Sequence, residues 1–273
     1  MTDMSSKDIE KWGMARRIAL IATIVAWVIF WVSFFTYKVW SPAWGPAGSP
    51  ARVAWEYAYC WGCTLPWAVY WMLEFARHPQ WLGPPGRYTG EEKVPVWSPY
   101  TVTSIAIFAA IFCVAAVGEF IRVDLQALSI AAASAYFGSI AVFFGCIIGQ
   151  AIARTWFVPW VGGGSVGLVD LLAWAVMDAS IWAYASVIFF RFYHGKPEWP
   201  RWKRLLVVML LAEPVHQLFW FLRYWVVAPY EAALGNVILD WTTYWNISWI
   251  LVLIGYIIGA AAYEGRARAF RRT

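Results

Sequence analysis

Charged residues are scarce in this sequence. Asp, Glu, Lys and Arg make up 14% of the 273 residues, whereas a soluble domain usually carries about 25%. Hydrophobic residues make up 62% of the chain, and the runs 18–35 and 247–263 contain no charged residue. Runs of this length are typical of helices that cross a bilayer. The composition therefore excludes an ordinary soluble domain and predicts an all-α, multi-pass integral protein of the cell membrane.

Several motifs of enzyme chemistry are also missing. No GxxxxGK[ST] sequence occurs, and "VGGGSVG" at 161–167 lacks the Lys of a phosphate-binding loop. The last helices carry no Lys for a Schiff base. The four Cys, at 60, 63, 113 and 146, lie in apolar segments and predict no disulfide framework. We therefore expect no ATP hydrolysis by this chain and no cofactor.

The hydrophobic pattern predicts a series of helices with one ambiguous region. The clear candidates are 16–38, 53–76, 99–121, 166–190, 204–226 and 245–264, with Pro- and Gly-rich linkers at 41–51 and 77–99. The ambiguous region is 125–154. It is either one helix, which gives seven crossings, or two arms of about 12 and 16 residues that reverse at Phe137-Gly138, which gives about eight.

Charge favours the reversal, because Lys and Arg accumulate on the cytoplasmic side of membrane proteins. With eight helices, both termini and the loops 77–98 and 191–204 are cytoplasmic, and they hold 16 of the 21 basic residues. This distribution indicates contact with anionic lipid headgroups and not with nucleic acid. We accordingly expect residues 1–98 to form a two-helix membrane extension with a cytoplasmic loop, and 99–273 to form a six-helix membrane core.

Three stretches of this core carry a resemblance to a known family. They are "SIAIFAAIFCVAAVGEFI" (104–121), "VDLQALSIAAASAYFGSIAVFFGCIIGQ" (123–150) and "YWNISWILVLIGYIIGAAAYEGR" (244–266). Together they resemble the S component, the substrate-binding membrane subunit, of energy-coupling factor transporters. The resemblance implies an outward-facing pocket for a small vitamin-like solute, a transmembrane coupling subunit, and paired ATPases as partners. It also implies that Ala106 and Ala110 dock on the coupling subunit.

A second stretch points to a different class of protein. "AEPVHQLFWFLRYWVVAP" (212–229) resembles the end of a membrane subunit of copper-dependent ammonia and methane monooxygenases. That family uses an Asp and two His as copper ligands, and this chain has only three His, at 78, 194 and 216. His78 and His194 are expected in surface loops, so Glu213 and His216 alone would serve a metal. A third alternative is a structural accessory subunit of a larger complex.

The candidate binding residues lie on three helices. Glu213, His216, Trp220 and Arg223 share one helical face, since they recur at intervals of three and four. Asp178 and Trp182 are one turn apart, a pairing that suits a cationic or heterocyclic ligand. Tyr244, Trp245 and Asn246 precede the last helix.

A purely structural role is the alternative for each group of candidates. Glu213 would pair with His216 inside the bundle, and Asp178 would bond a neighbouring helix. The aromatic residues would then form an interfacial belt.

Overall fold

The computed structural model describes five long segments of the chain and six isolated residues. The segments are 6–35, 97–118, 123–160, 168–227 and 248–270, and the isolated residues are Pro46, Ser49, Pro50, Pro66, Val69 and Tyr70. The regular structure of these segments is entirely helical. Most of the predicted helix 53–76 lies outside the described residues.

Seven helices of 12 residues or more are described, besides a three-residue helical turn at Val158–Trp160. They are α1 (Ser6–Phe35), α2 (Pro99–Ala115), α3 (Leu125–Tyr136), α4 (Ser139–Ile152), α5 (Leu168–Phe189), α6 (Arg201–Val227) and α7 (Ser248–Phe270). Two of them continue through a π-helical turn, α4 at Ala153–Phe157 and α5 at Phe190–His194.

Three described stretches are long and apolar enough to cross a membrane. They are Ser139–Phe157, Ala175–His194 and Trp249–Arg266, while α2 and α3 are shorter apolar helices. The prediction of an all-helical protein with membrane-spanning helices is confirmed to this extent. The number of about eight crossings stays a prediction, as does the division into 1–98 and 99–273.

The ambiguous region 125–154 forms two helices and not one. The first, α3, ends at Tyr136, and Gly138 has a φ of 98° that residues with a side chain rarely adopt. The second, α4, begins at the next residue, Ser139. The expected break at Phe137-Gly138 is therefore present, and the one-helix alternative is wrong.

Contacts along the helices show that the chain reverses at this break. The start of α3 meets the end of α2, where Gln126 donates to the Phe112 carbonyl. The end of α3 meets the start of α2, where the Tyr136 and Tyr100 hydroxyls both accept from Arg266. Helices α2 and α3 are thus antiparallel. In contrast, α4 runs parallel to α2, as the glycine contacts described next show.

Two Gly-xxx-Gly pairs bring parallel helices into close contact. In α4, a Cβ on Gly145 would lie 2.6 Å from the Phe108 ring, and one on Gly149 would lie 2.8 Å from the Ala109 carbonyl oxygen. In α7, Gly255 and Gly259 pack in the same way against the backbone of α3. Membrane helices associate through such small residues because no hydrophobic driving force holds them together in lipid.

The central helix is α5. Nearly every residue from Ala175 to Phe190 is buried, because α3, α4, α6 and α7 surround it. Two of its polar residues bond to these neighbours: Ser186 Oγ donates to the Ser134 carbonyl at 2.8 Å, and Tyr184 donates to the Leu211 carbonyl at 3.1 Å. The core of the protein therefore lies around this helix.

One end of the bundle gathers cationic and aromatic side chains from distant parts of the chain. Arg266 bonds to Tyr100 and Tyr136, and Arg201 pairs with Glu264 at 2.9 Å. The expectation that His194 lies in a surface loop is wrong, because its ring packs on other helices. It is half-buried, 4.0 Å from the Tyr263 ring centroid, with Nε2 3.1 Å from the Ala135 carbonyl oxygen.

Candidate functional site

The antiparallel helices α5 and α6 place four of the predicted binding residues together. The Trp182 ring of α5 lies 4.9 Å, centroid to centroid, from the His216 ring of α6. One turn from Trp182 along α5 is Asp178, and one turn from His216 along α6 is Glu213. All four side chains are buried. Two carboxyl groups and two aromatic rings therefore share one region of the bundle interior.

The acidic residue of α6 contacts the histidine of the same helix. Glu213 Oε2 lies 3.4 Å from His216 Nδ1, across the three-residue spacing predicted to bring them to one face. The two residues flank Pro214, which lacks the amide hydrogen that would bond to the Leu210 carbonyl. The expected pairing of Glu213 with His216 inside the bundle is thus observed, beside an interruption in the backbone bonding of α6.

The acidic residue of α5 bonds to a different helix. Asp178 Oδ2 accepts a 3.1 Å hydrogen bond from Gln150 Nε2 at the end of α4. Cys146, one turn before Gln150 on α4, is fully buried. Asp178 therefore joins α5 to α4, one turn from the Trp182 ring that contacts His216 of α6.

Small residues allow the helices to approach closely enough for these contacts. Ala175, Ala179 and Ala183 of α5 are all buried at successive turns. In α4, Gly145 and Gly149 lie on the face that meets α2. Such positions permit close backbone approach in membrane bundles, and polar side chains can then bond across helices.

The remaining predicted residues lie elsewhere or outside the described part of the chain. Ala106 and Ala110 are exposed on the outer face of α2, away from the buried cluster. Trp220 and Arg223 belong to α6, but their side chains are not among the described ones. Tyr244, Trp245 and Asn246 lie outside the described residues. The binding role of all these residues stays a prediction.

Three buried residues of the bundle were not predicted from the sequence: Gln150 and Cys146 of α4, and Tyr256 of α7. Gln150 is the only amide side chain within 139–153, a signal that could have identified it. Tyr256 of α7 is buried, and its ring lies 5.1 Å, centroid to centroid, from the tilted Phe189 ring of α5. Its sequence context gave no such signal, because Tyr is also common at membrane interfaces.

The buried cluster is suited to binding and has few features of a metal centre. No group of three or more His, Cys, Asp and Glu able to hold a metal occurs among the described residues. Glu213 and His216 form a pair, and copper sites use several clustered nitrogen donors. Carboxyl groups beside aromatic rings can instead hold a cation through ion pairing and cation–π contact.

Comparison with known proteins gives no assignment. No protein-family model, no curated protein and no solved structure matches this chain.

Proposed function

We propose that this chain is the membrane-embedded solute-binding subunit of a transporter. The observation that carries the proposal is the convergence of Asp178 and Glu213, each 8% exposed, around the Trp182–His216 contact. Ionisable side chains inside membrane bundles are energetically costly and generally mark substrate or ion pathways. The solute would bind among these four residues, with Trp220 on the following turn of α6.

The transport role also agrees with the arrangement of the outer surface. Ala106 and Ala110 lie on an exposed apolar face of α2 with Val102, Ile107 and Ile111. In our proposal this face contacts a transmembrane coupling subunit, and paired ATPases drive solute release toward the cytoplasm. The bundle would then change its exposure by tilting as a rigid body.

The proposed topology has about eight helices with both termini in the cytoplasm. It is supported by the end of the bundle at which α3 ends and α6 begins. Arg201, Arg204 and Arg266 all lie at this end, near the turn that follows α3. A concentration of cations at one end is typical of a cytoplasmic face.

The binding proposal is tested with a charge-neutralised double variant. The full chain is purified gently from its native membrane, and co-purifying solutes, proteins and metals are identified by mass spectrometry. We expect a small solute and ATPase partners with the wild type. Asp178→Asn with Glu213→Gln should reduce solute retention by at least about 100-fold, since losing a buried charge contact costs about 2–5 kcal/mol.

The matched control for this experiment is Glu198→Gln, an exposed carboxylate in the loop before α6. It should retain solute as the wild type does. Stoichiometric copper that is lost on His216→Ala, with no solute present, would contradict the transport function and favour an oxidoreductase subunit.

The topology is tested with a cysteine at an exposed loop position. Gly195 is unsuitable, because a side chain there would lie 2.6 Å from the Arg191 carbonyl oxygen. Glu198→Cys is preferable, since this side chain is mostly exposed. We expect an impermeant thiol reagent to label it only after the cells are opened. Labelling in intact cells would place this loop outside.

A further inference from the structure

A cluster of positive charge lies on the surface between α5 and α6. Residues 195–204, the basic turn, contain one acidic residue, Glu198, and four basic residues, which are Lys196, Arg201, Lys203 and Arg204. Lys196 pairs with Glu198 at 3.8 Å, and Arg201 pairs with Glu264 of α7 at 2.9 Å. Lys203 is exposed and has no carboxylate within ion-pair distance among the described residues. The turn therefore keeps a net positive charge.

Two Trp residues accompany these charges. The centroid of the Trp199 ring lies 4.6 Å from Lys203 Nζ and 6.0 Å from Lys196 Nζ. Aromatic faces attract ammonium groups, so this ring holds both lysines near one point of the surface. The neighbouring Trp202 is 67% exposed. The basic turn thus combines two convergent ammonium groups with an exposed indole.

The position of the basic turn along the helices puts it at the level of a membrane surface. Two of the described stretches that are long and apolar enough to cross a membrane end beside it. Ala175–His194 ends directly before Gly195, and Trp249–Arg266 ends where Glu264 pairs with Arg201. Trp is typical of the layer between hydrocarbon and water, and long basic side chains extend from that layer to the headgroups. The basic turn therefore lies at the depth of the lipid headgroups.

The positive charges of the turn do not serve the stability of α6. The first turn of this helix contains no acidic residue, although negative charge stabilises a helix N-terminus and positive charge opposes it. Arg201 and Lys203 are both exposed, so their burial contributes little. A negatively charged group from outside the chain would offset this unfavourable charge.

We propose that the basic turn is a binding surface for the headgroup of an anionic phospholipid. The ammonium groups of Lys196 and Lys203 contact the lipid phosphate, and Trp199 positions both lysines. Trp202 lies against the glycerol and the upper part of the acyl chains. The position beside the ends of two apolar stretches selects a lipid over a soluble anion or an acidic protein. The inference goes beyond the proposed function and does not rest on it, since it applies equally to a membrane subunit with another role.

Competition between two lipids tests the charge preference. The full-length chain in detergent micelles is mixed with equal amounts of phosphatidylglycerol and phosphatidylcholine that carry the same acyl chains. Native mass spectrometry then measures the ratio in which the two are bound. We expect phosphatidylglycerol to be preferred at least about tenfold, because each basic residue near the headgroups is worth about a fivefold change in affinity. Equal binding of both lipids would overturn the inference and favour an acidic protein as the partner of the turn.

A matched pair of charge variants tests whether the basic turn is responsible. Lys203→Gln should reduce the preference for phosphatidylglycerol about fivefold. Arg17→Gln is the control, because Arg17 is an exposed cation of α1 and its loss changes the net charge equally. It should change the ratio less than about twofold, since it is not part of the turn. Equal losses in the two variants would show that only the overall charge matters and would refute a defined surface. Thermal unfolding should be the same for both variants, because both side chains are exposed.

A second pair of variants tests the role of the ring. Trp199→Leu keeps an apolar side chain and removes the aromatic face. It should lower the preference about threefold, which is the value of a cation–π contact at an exposed site. Trp202→Leu is the control and should weaken the binding of both lipids alike without changing their ratio. An unchanged ratio with Trp199→Leu would refute the positioning role of Trp199.

The deacylated headgroup tests whether a lipid is required. Glycerophosphoglycerol carries the headgroup of phosphatidylglycerol without its acyl chains. A large excess should leave most of the phosphatidylglycerol bound, because the headgroup alone lacks the contacts with Trp202 and the apolar helices. Complete displacement would show that the turn binds a soluble phosphate, and the assignment to a lipid would be wrong.

Discussion

The helices α1 and α5 are both long and apolar, yet α5 is buried all round, whereas α1 is buried on one face, at Ala19 and Thr23. From Ala175 to Phe190, α5 is buried almost completely. In α1, Ile18, Ile21 and Val28 are all more than half exposed, and few contacts with the other described helices are made. Hydrophobic composition therefore does not distinguish a helix that faces lipid from one in the centre of a bundle.

The two helices also differ in polar bonds to other helices, although each has a hydroxyl that bonds within its own helix, Ser180 to the Val176 carbonyl in α5 and Thr23 in α1. In α5, Asp178, Ser180 and Ser186 are buried, and Asp178 and Ser186 bond to other helices. In α1, Thr23 bonds to the Ala19 carbonyl of its own helix. Bonds between helices require protein on the other side, whereas a bond within one helix requires nothing beyond that helix.

The largest loss of stability is expected for substitution of a glycine at which two helix backbones are in contact. Within α7, Gly259 packs on the α3 backbone, whereas Gly265 has nothing within 4 Å of its Cβ position. Gly259→Leu should reduce the free energy of unfolding by about 3 kcal/mol, because the contact is with backbone that cannot rotate away. Gly265→Leu is the control and should change it little. Steric trapping in bicelles measures both, and equal effects would refute the close packing of α3 and α7.

A smaller loss of stability is expected when a buried side chain of α5 is enlarged. Ala183 is fully buried, and Ala183→Leu should cost about 2 kcal/mol through overpacking. Ile24 of α1 is 54% exposed, so Ile24→Phe should cost less than about 0.5 kcal/mol. The same unfolding measurement applies. A large cost at Ile24 would show that α1 is covered by protein on that face.

The smallest loss of stability is expected for removal of a single side-chain hydrogen bond. Ser186→Ala removes the bond to the Ser134 carbonyl and should cost about 0.6 kcal/mol, the average for interhelical bonds in membranes. Thr23→Val is the isosteric counterpart in α1. This change should alter the free energy of unfolding very little, because the Ala19 carbonyl keeps its main-chain hydrogen bond within the helix when the hydroxyl is removed. If Thr23→Val proved the more costly change, the contrast between the two helices would be wrong.

Part of the candidate site was predictable from spacing alone. Glu213 and His216 share a helix face because three residues are close to one turn, and this relation needs no tertiary information. The break before Ser139 was predictable from Gly138 and from the distribution of basic residues. Gln150 was not identified, because its importance depends on Asp178, which is 28 residues away and on another helix.

Local sequence also misplaced one residue. The polar segment around His194 suggested an exposed loop, but α5 continues through a π-helical turn that directs this ring onto Tyr263 and Ala135. Aromatic neighbours such as Phe189 and Phe190 make the turn part of the packed end of the bundle. A loop assignment based on charge counts does not include such contacts.

The sequence by itself determined the helical class, the membrane-spanning hydrophobicity and the turn at Gly138, since these depend on composition and on neighbours along the chain. The tertiary structure alone decided which apolar helix is central, which glycines meet a backbone, and which polar atoms converge. The physical reason is that lipid and protein interior are equally apolar. Only the arrangement of helices determines whether a side chain such as Asp178 faces hydrocarbon or a bonding partner.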